Sequence, residues 1–395
     1  MTATHVIVGA GQAGGWAAVA MRQAGFAGRI LLVGEETLRP YERPPLSKAA
    51  LTGEAAPAPA WFHPPGRYEE LGIEIRLGIA AVAIDIGARH VTLADGTALA
   101  WDKLLIATGG RARLLAIPGG ERALTLRTLD DARAIRARLA SARRVVCIGA
   151  GVIGLEIAAS ARARGAAVTV LEAADRAMGR AVCEGGAAFV ARLHRANGVV
   201  LHFGVAVTAI EADAVHCADG AVHPADLVIA GIGMERNLAL AATAGIAGDR
   251  AIAVDALTRT AAEGVHAAGD VAAFPHPLFG TLALESWRHA QNHGIAAGQA
   301  MAGAGKPYDD IPWFWTDQFG VNLQVAGLPA LAARTLMRVG PPGFVALHLD
   351  ATDRVVGITA ANAPREIRAG TALIKAARPV DPGRAADPSV ALGSI

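Results

Sequence analysis

Cysteine is scarce in this sequence, which has only Cys147, Cys183 and Cys217 among its 395 residues. No two of them form a Cys-x-x-Cys pair, so the sequence excludes a zinc ribbon and a Cys-x-x-Cys dithiol. The histidines at 63, 194, 202, 276, 289 and 293 show no pairing with cysteine in metal-like company, and His289 and His293, four residues apart, stand in a motif of another kind. We therefore predict no metal site.

Charge imbalance and long apolar runs are also absent. The formal net charge is +2, with 37 Lys and Arg residues against 35 Asp and Glu residues, which argues against a dedicated nucleic-acid-binding protein. The uncharged stretch at residues 2–21 is broken by four glycines and follows no basic cluster, so it predicts neither a membrane helix nor a signal peptide. We expect a cytoplasmic protein that binds neither nucleic acid nor membrane.

Small residues are abundant instead. Hydrophobic residues make up 53% of the chain, and much of this fraction is alanine, accompanied by 46 glycines. Charged residues at 18% fit a folded globular protein rather than a disordered one. At roughly 100–200 residues per domain, the length predicts two or three domains.

One pattern occurs twice. Residues 5–14 read HVIVGAGQAG and residues 145–154 read VVCIGAGVIG. In each copy a β-branched run enters a Gly-x-Gly-x-x-Gly turn, an alanine-rich helical stretch follows, and a second apolar strand ends in a glutamate, Glu35 or Glu172. Chance recurrence in an Ala/Gly-rich chain does not account for all these features together. Each copy predicts a strand–helix–strand unit that binds a dinucleotide.

The spacing of the glycines has a physical reason. The first glycine of each turn permits a tight turn, the second lets the backbone approach a pyrophosphate, and the third lets helix and strand pack closely. The helix that follows offers free N–H groups and a positive dipole to the phosphates. The six glycines are Gly9, Gly11, Gly14, Gly149, Gly151 and Gly154.

Three more strand ends carry polar or glycine residues. Thr108 and Gly109 follow one apolar strand, Asp270 follows another, and Gly231 and Gly233 follow a third. Taken singly, each is an ordinary buried strand followed by a loop, and Asp270 suits a helix N-cap. Together with the doubled turn, they closely resemble the two-dinucleotide flavoprotein oxidoreductases related to glutathione reductase.

This resemblance implies an α/β fold with two Rossmann-like domains and a carboxyl-terminal α+β domain. We expect an FAD-binding domain at residues 1–112 and 241–312, with an antiparallel insertion. An NADH-binding domain is expected at residues 113–240. Alternating strands from Trp313 onward predict the α+β domain at residues 313–395, which ends in a Pro/Gly-punctuated tail.

The segment after the first repeat narrows the resemblance. In disulfide reductases this segment carries the redox cysteine or cysteine pair, but here residues 39–48 read RPYERPPLSK. The run is similar to that of the ferredoxin reductases of bacterial ring-hydroxylating dioxygenase and cytochrome P450 systems. Rubredoxin reductases and apoptosis-inducing factor are more distant relatives. Four further runs agree in order, at residues 126–132, 149–156, 285–292 and 313–318.

The resemblance implies a reductase that takes a hydride from NADH onto FAD and passes single electrons to a two-iron ferredoxin. Two alternatives stay open: a rubredoxin reductase, and an NADH-sensing interaction protein in which turnover is incidental. An NADH oxidase or peroxidase is disfavoured because no cysteine stands beside the flavin. Cys147, within a strand, is predicted to be a small buried hydrophobe. The oligomeric state is expected to be monomer or homodimer.

The resemblance assigns residues to both cofactors, although each one also has an ordinary structural explanation. The FAD residues are Gly9, Gly11, Gly14, Glu35, Arg43, Lys48, Val82, Thr108, Gly109, Arg127, Asp270 and Trp287. The NADH residues are Gly149, Gly151, Ile153, Gly154, Glu156, Glu172, Arg180, Gly231 and Gly233. In the relatives, the segment matching Trp313 and Trp315 closes over the flavin edge where electrons leave.

Lys48 and Glu156, with Trp315, are the predicted catalytic residues. Lysine is rare in this arginine-rich chain. The use of lysine rather than arginine at position 48 therefore suggests that a compact point charge is needed there. The resemblance places Lys48 beside the reactive edge of the flavin, with Glu156 facing the same edge. Because an unpaired charge near an apolar flavin face is costly, we predict a Lys48–Glu156 ion pair.

Glu172 decides the predicted choice of nucleotide. It ends the second strand of the second repeat, 18 residues after Gly154, where a carboxylate accepts the ribose hydroxyls and repels a 2′-phosphate. NADH is therefore expected to be preferred, although Arg176 and Arg180 nearby are able to receive a phosphate. An acidic ferredoxin would in turn need basic docking residues, for which the candidates are Arg288, Arg334, Arg338, Arg365 and Arg368.

Overall fold

The computed structural model describes residues 2–64, 66–340 and 343–395, with the side chains of residues 339 and 340 left aside. The α-helices are α1 (Gln12–Gln23), α2 (Ala49–Thr52), α3 (Arg67–Glu70), α4 (Leu129–Leu139), α5 (Val152–Ala163), α6 (Glu184–Ala196), α7 (Ala239–Thr243), α8 (Trp287–Met301), α9 (Pro364–Ala376) and α10 (Pro382–Ala386).

The strands up to the second repeat are β1 (Thr4–Val8), β2 (Arg29–Val33), β3 (Ile73–Arg76), β4 (Ala81–Asp85), β5 (His90–Leu93), β6 (Ala98–Ala100), β7 (Lys103–Ile106), β8 (Gly110–Ala112), β9 (Arg144–Ile148) and β10 (Ala167–Glu172). They continue with β11 (Val199–Phe203), β12 (Val207–Ile210), β13 (Ala214–Cys217), β14 (Val222–Pro224), β15 (Leu227–Ala230), β16 (Met234–Arg236), β17 (Ile252–Ala253), β18 (Val265–Ala267), β19 (Ala272–His276) and β20 (Gly280–Leu282). The last five are β21 (Trp313–Gln318), β22 (Val321–Gly327), β23 (Arg334–Gly340), β24 (Gly343–Leu349) and β25 (Val355–Ala361).

The chain divides into two compact units, each made of three separate segments. The first unit contains Met1–Glu42, Pro59–Arg111 and Glu235–Asp310. The second unit contains Arg43–Ala58, Ala112–Met234 and Ile311–Ile395. Each Gly-x-Gly-x-x-Gly turn therefore belongs to a different unit.

The first unit is built on a five-stranded parallel sheet in the order β18-β7-β1-β2-β3. β1 lies at its centre, where Val6 pairs with Leu31 of β2 and Leu104 of β7. Beyond their first residues β1, β2 and β7 are buried, as expected for a parallel sheet covered on both faces. Since α1 follows β1 directly, the first glycine turn lies at the carboxyl end of the central strand.

Helices α1 and α8 approach each other unusually closely on this sheet. A Cβ atom at Gly294 would lie 2.2 Å from the backbone oxygen of Ala13, and one at Gly298 would lie 2.3 Å from that of Ala17. Any larger residue at these positions would push the helices apart. Much of the small-residue content of residues 12–23 and 287–301 therefore serves this contact.

An antiparallel sheet of β4, β5 and β6 interrupts the first unit before β7 returns to the parallel sheet. The prediction of an antiparallel insertion here is confirmed. Strands β17, β19 and β20 form a further small sheet in the same unit.

The second unit repeats the parallel arrangement with a four-stranded sheet in the order β11-β10-β9-β15. Val168 of β10 pairs with Val145 and Val199 on either side. α5 follows β9 and starts at the second glycine turn. A small antiparallel sheet of β12, β13 and β14 completes this part.

The last part of the second unit is a five-stranded antiparallel sheet, β21-β22-β25-β24-β23, with α9 packed on it. Gly370 of α9 sits against Ile358, and Leu373 and Ile374 are buried there. The predicted α/β class with two Rossmann-like sheets and a carboxyl-terminal α+β part is confirmed.

The carboxyl-terminal tail is more ordered than its composition predicts. Residues 379–395 include α10, and Val380, Ala385 and Leu392 are buried. Arg338 of β23 is also buried, at 5% exposure, and donates to the carbonyl oxygens of Ala385 and Val390, at 2.8 and 2.5 Å. The prediction of Arg338 as a docking residue is therefore wrong, because the tail covers it.

Candidate active site

The first glycine turn has the geometry of a dinucleotide cradle. Gly9 adopts φ +110°, and a Cβ there would lie 2.2 Å from the carbonyl oxygen of Ala107. At Gly14 a Cβ would lie 1.8 Å from the carbonyl oxygen of Gly9. Within the described chain no side chain caps α1, whose N-cap is Gly11, so the first-turn N–H groups stay available to a phosphate.

The second turn repeats this geometry and separates the roles of its glycines. Gly149 has φ +99°, and a Cβ at Gly154 would lie 2.1 Å from the carbonyl oxygen of Gly149. A Cβ at Gly151 would meet nothing closer than the carbonyl oxygen of Gly231, at 3.7 Å. The protein's own structure thus requires the first and third glycines. The space beside the second is free, as a pyrophosphate would need.

Glu172 lies against this second turn. One carboxylate oxygen accepts from the backbone N–H of Ala150 at 2.6 Å, and the other from that of Ala174 at 2.8 Å. The half-buried carboxylate is thereby fixed at the end of β10. Each oxygen keeps a lone pair that is able to accept a hydrogen bond from a ribose hydroxyl. Arg180 is exposed, with Nη2 3.7 Å from the Cβ position of Gly233.

Three predicted FAD residues of the first unit lie at strand ends. Thr108 and Asn237 form two reciprocal hydrogen bonds, from the Thr108 hydroxyl at 2.9 Å and from the Asn237 amide at 3.0 Å. Asn237 also donates its backbone N–H to Gly109. Asp270 is buried in a short turn, and its carbonyl oxygen accepts from Arg236 at 2.6 Å. These contacts fix two loop segments that the resemblance assigns to FAD.

Glu42 is a residue of this unit that sequence reasoning missed. Its carboxylate accepts a hydrogen bond from the indole N–H of Trp287. Burial raises the pKa of Glu42 above its ordinary value, although the bond from Trp287 opposes the shift. Glu42 lies within the motif at residues 39–48, but nothing in the sequence indicates that its carboxylate pairs with Trp287.

The Lys48–Glu156 ion pair predicted from the sequence is confirmed. Nζ of Lys48 lies 2.8 Å from Oε1 of Glu156, and the two side chains are 25% and 2% exposed. Lys48 stands between a 3₁₀ turn at residues 44–47 and α2, and Glu156 is in the second turn of α5. A buried carboxylate therefore holds a lysine that stays partly open to solvent.

Two hydroxyl groups complete the surroundings of Glu156. Thr316 of β21 donates to Oε1 at 2.6 Å, and Ser47 donates to Oε2. The hydroxyl of Ser160 in turn donates to the backbone carbonyl of Ser47 at 2.6 Å. Both oxygens of the buried carboxylate are thus satisfied, which offsets its desolvation. Sequence reasoning identified neither hydroxyl, although both lie within quoted motifs.

Other predicted residues are brought together in pairs. Arg43 donates through Nη1 to the carbonyl oxygen of Arg127 at 2.5 Å. The rings of Trp313 and Trp315 stack with centroids 5.2 Å apart, and the indole of Trp315 donates to Asp317 at 2.9 Å. The aromatic segment is thus part of strand β21. Three further predicted residues have exposed side chains, namely Glu35 at the end of β2, Val82 on β4 and Ile153 in the first turn of α5.

Cys147 is not placed for redox chemistry. Cys147 is fully buried in β9, and burial raises the pKa of its thiol to about 12. A thiol held neutral is a poor nucleophile. Within the described ranges all three cysteines are free, and no cluster of three potential metal ligands occurs there.

Comparison with known proteins decides the family. A family model, pyridine nucleotide-disulphide oxidoreductase, matches residues 3–294. The chain belongs to this family. A second model, the reductase C-terminal domain, matches residues 313–395 of this oxidoreductase. The resemblance stated from the sequence, the oxidoreductase class and the use of FAD and NAD(H) are thereby confirmed.

The similarity to known proteins extends over nearly the whole chain. The ferredoxin–NAD(+) reductase component of the p-cumate 2,3-dioxygenase system of Pseudomonas putida is 41% identical over 392 residues, 98% of this chain and 97% of that protein. The ferredoxin reductase structure for the CYP199A2 system of Rhodopseudomonas palustris matches with TM-score 0.95 and 37% identity over 99% of each chain. The covalent putidaredoxin reductase–putidaredoxin complex matches with TM-score 0.94 and 36% identity, over 99% and 97%.

The helices of the described residues were also compared with the requirements for a membrane span. None of their helices combines the length and the apolar character that crossing a membrane requires.

Proposed function

We propose that this protein is an NADH-dependent ferredoxin reductase. It would pass electrons to a two-iron ferredoxin that feeds a ring-hydroxylating dioxygenase or a cytochrome P450. The relatives named above serve systems of both kinds and match over nearly their full length. We also propose a cytoplasmic location, since NADH is a cytoplasmic reductant and the described chain has three free cysteines.

The observation that carries the proposal is the Lys48–Glu156 ion pair at 2.8 Å. It stands in the segment where disulfide reductases have their redox cysteines, and residues 39–48 contain none. When bound, FAD accepts a hydride from NADH and releases electrons singly, which suits an iron–sulfur acceptor. A fixed ammonium in place of a dithiol fits a reductase that delivers electrons directly to an external partner.

We assign the cofactors to the two glycine turns. Gly9, Gly11 and Gly14 would hold the FAD pyrophosphate, within the domain proposed at residues 1–112 and 241–312. Gly149, Gly151 and Gly154 would hold that of NADH, within residues 113–240, and Glu172 would bind its adenosine ribose. The free space beside Gly151 and the uncapped helix starts support these assignments.

Lys48 acts electrostatically in this proposal. Its ammonium places a positive charge where negative charge develops during hydride transfer, and Glu156 orients it. Thr316 and Ser47 hold Glu156 in turn, so the charge is fixed before the reaction rather than recruited during it. The nicotinamide would lie near Ile153, which is 39% exposed.

We propose that Trp315 lies where electrons leave the flavin, and that exposed arginines attract the acidic partner. Arg334 forms an ion pair with Asp353, and Arg288, Arg365 and Arg368 are exposed. With Arg338 excluded by burial, the docking candidates that stay accessible are Arg288, Arg334, Arg365 and Arg368.

The test is a coupled assay with the purified protein, NADH, cytochrome c and an added two-iron ferredoxin. We expect rapid cytochrome c reduction in proportion to the ferredoxin, and little without it. Ferricyanide, which accepts electrons directly, should be reduced in either case. Flavin reduction by NADH with no transfer to any ferredoxin would contradict the proposal and favour an NADH sensor. Faster transfer to a rubredoxin would favour the rubredoxin reductase alternative.

A further inference from the structure

A buried chain of hydrogen bonds leads away from Glu156 to His194. Thr316 donates to Glu156 at 2.6 Å, the side-chain amide of Gln318 donates to the Thr316 hydroxyl at 2.9 Å, and Oε1 of Gln318 lies 2.6 Å from Nε2 of His194. Thr316, Gln318 and His194 are 1%, 3% and 0% exposed. The chain connects α5, β21 and α6.

The direction of every bond follows from the carboxylate. An ionised Glu156 only accepts, so the Thr316 hydroxyl must donate its one proton to it. The Thr316 oxygen is then left as an acceptor and needs the N–H₂ side of Gln318. The carbonyl oxygen of Gln318 therefore faces His194, whose Nε2 must carry the proton.

The surroundings of His194 agree with this direction. Burial lowers the pKa of His194 below its ordinary value, so the ring is neutral at physiological pH and can carry one proton on Nε2 alone. Its Nδ1 is buried without a hydrogen-bond partner among the described residues, and Phe319 packs against the ring with centroids 5.0 Å apart. An unprotonated Nδ1 needs no acceptor. The only charged side chain paired with Glu156 is Lys48, as far as the described residues show.

We propose that Thr316, Gln318 and His194 are positioning residues, which fix the orientation of the Glu156 carboxylate and thereby the position of the Lys48 ammonium. This inference rests on the proposed role of the Lys48–Glu156 pair. His194 serves to prevent the Gln318 amide from turning over. With the amide reversed, the Thr316 hydroxyl would donate to Gln318 and Glu156 would lose one of its donors.

The test removes the hydroxyl of Thr316 while keeping its shape, in Thr316→Val. We expect the rate of flavin reduction by NADH to fall by about tenfold, because a hydrogen bond to a charged group is lost. NADH affinity and FAD content should not change. Thr316→Ser, which restores the hydroxyl, should recover most of the rate. His194→Phe should slow the reaction as well, by freeing the Gln318 amide.

A matched control is Thr359→Val in the same unit. Thr359 is 0% exposed and bonds through its hydroxyl to the buried His348 at 3.0 Å. It should lose similar stability and keep the wild-type rate of flavin reduction. An equal slowing in both valine variants would reduce Thr316 to a structural role and overturn the proposal.

A double-mutant cycle separates this inference from the proposed function. If Thr316 acts through Lys48, Thr316→Val should have little further effect in a Lys48→Met background. Additive effects of the two substitutions would refute the proposed coupling. A slow Lys48→Met variant beside a wild-type-like Thr316→Val variant would overturn the positioning role alone. A Lys48→Met variant as fast as wild type would instead overturn the proposed role of the pair.

Discussion

Replacing Lys48 by Met tests the electrostatic role of the ion pair most directly. Methionine keeps an unbranched side chain of similar length and removes the charge. Glu156 retains its bonds from Ser47 and Thr316, so the buried carboxylate does not lose all of its donors. We therefore expect the variant to fold with some loss of stability, and to bind FAD, whose phosphates we propose to lie at the first glycine turn.

The size of the effect follows from the geometry. Removing one fixed donor at a site of developing charge costs about 2.7–4 kcal/mol of transition-state stabilisation in enzymes where it has been measured. The Lys48 side chain is 25% exposed, so water screens part of its field. A loss of about 2–3 kcal/mol is then expected, which slows hydride transfer about 30- to 160-fold.

The assay is rapid mixing of the oxidised protein with NADH under anaerobic conditions, with the bleaching of the flavin absorbance as the readout. Lys48→Arg keeps the charge and should retain more of the rate than Lys48→Met. The exposed Lys306→Met controls for loss of a lysine elsewhere. A Lys48→Met variant that has full FAD content and bleaches at the wild-type rate would refute the reasoning.

Three other predictions concern nucleotide choice, docking and acid stability. NADH should have at least about tenfold higher kcat/KM than NADPH, and Glu172→Ala should narrow the gap; equal efficiencies in the wild type would contradict this. Ferredoxin reduction should slow as salt rises while ferricyanide reduction changes much less, and Arg365→Ala should weaken that dependence; identical salt profiles would exclude electrostatic docking. Burial lowers the pKa of four histidines from 6.5 to between about 3 and about 4, so the unfolded state binds protons first and stability should fall as pH decreases from about 6.5 towards 4. These four histidines are His5, His266, His289 and His348. A thermal midpoint that stays constant between about pH 6.5 and about pH 4 would contradict this prediction.

The sequence predicted best those parts of the fold that are determined by residues close together in the chain. Each strand–turn–helix unit is contiguous, and the glycines at its turn are required by backbone contacts within about ten residues or with a neighbouring strand. The Lys48–Glu156 pair was predictable because each partner stands in a recognisable motif and a buried charge needs a counter-charge.

The remaining partners of Glu156 were not predictable in the same way. Ser47 and Thr316 lie 109 and 160 residues from Glu156 in the chain, and Gln318 lies 124 residues from His194. Hydroxyl and amide side chains have no periodic signal, and only the folded chain decides which of them meet. Their pairing is a property of tertiary structure.

Arg338 shows a second limit of sequence reasoning. A charged residue in a strand at the edge of a sheet is normally solvent-exposed, and arginine is seldom buried. Here the tail at residues 379–395 lies over β23 and offers two carbonyl oxygens to the guanidinium. The Pro/Gly content of the tail gave no indication that it would cover Arg338.

The close contact of α1 with α8 constrains how this chain is made. α1 and the central strand come from the first 23 residues, whereas β18 and α8, which complete the same unit, come from residues 265–301. During translation the first unit must wait until most of the chain has emerged from the ribosome. Until then the edge of β7 and the face of α1 that packs against Gly294 and Gly298 are uncovered. Truncated products ending before residue 265 should therefore aggregate rather than fold.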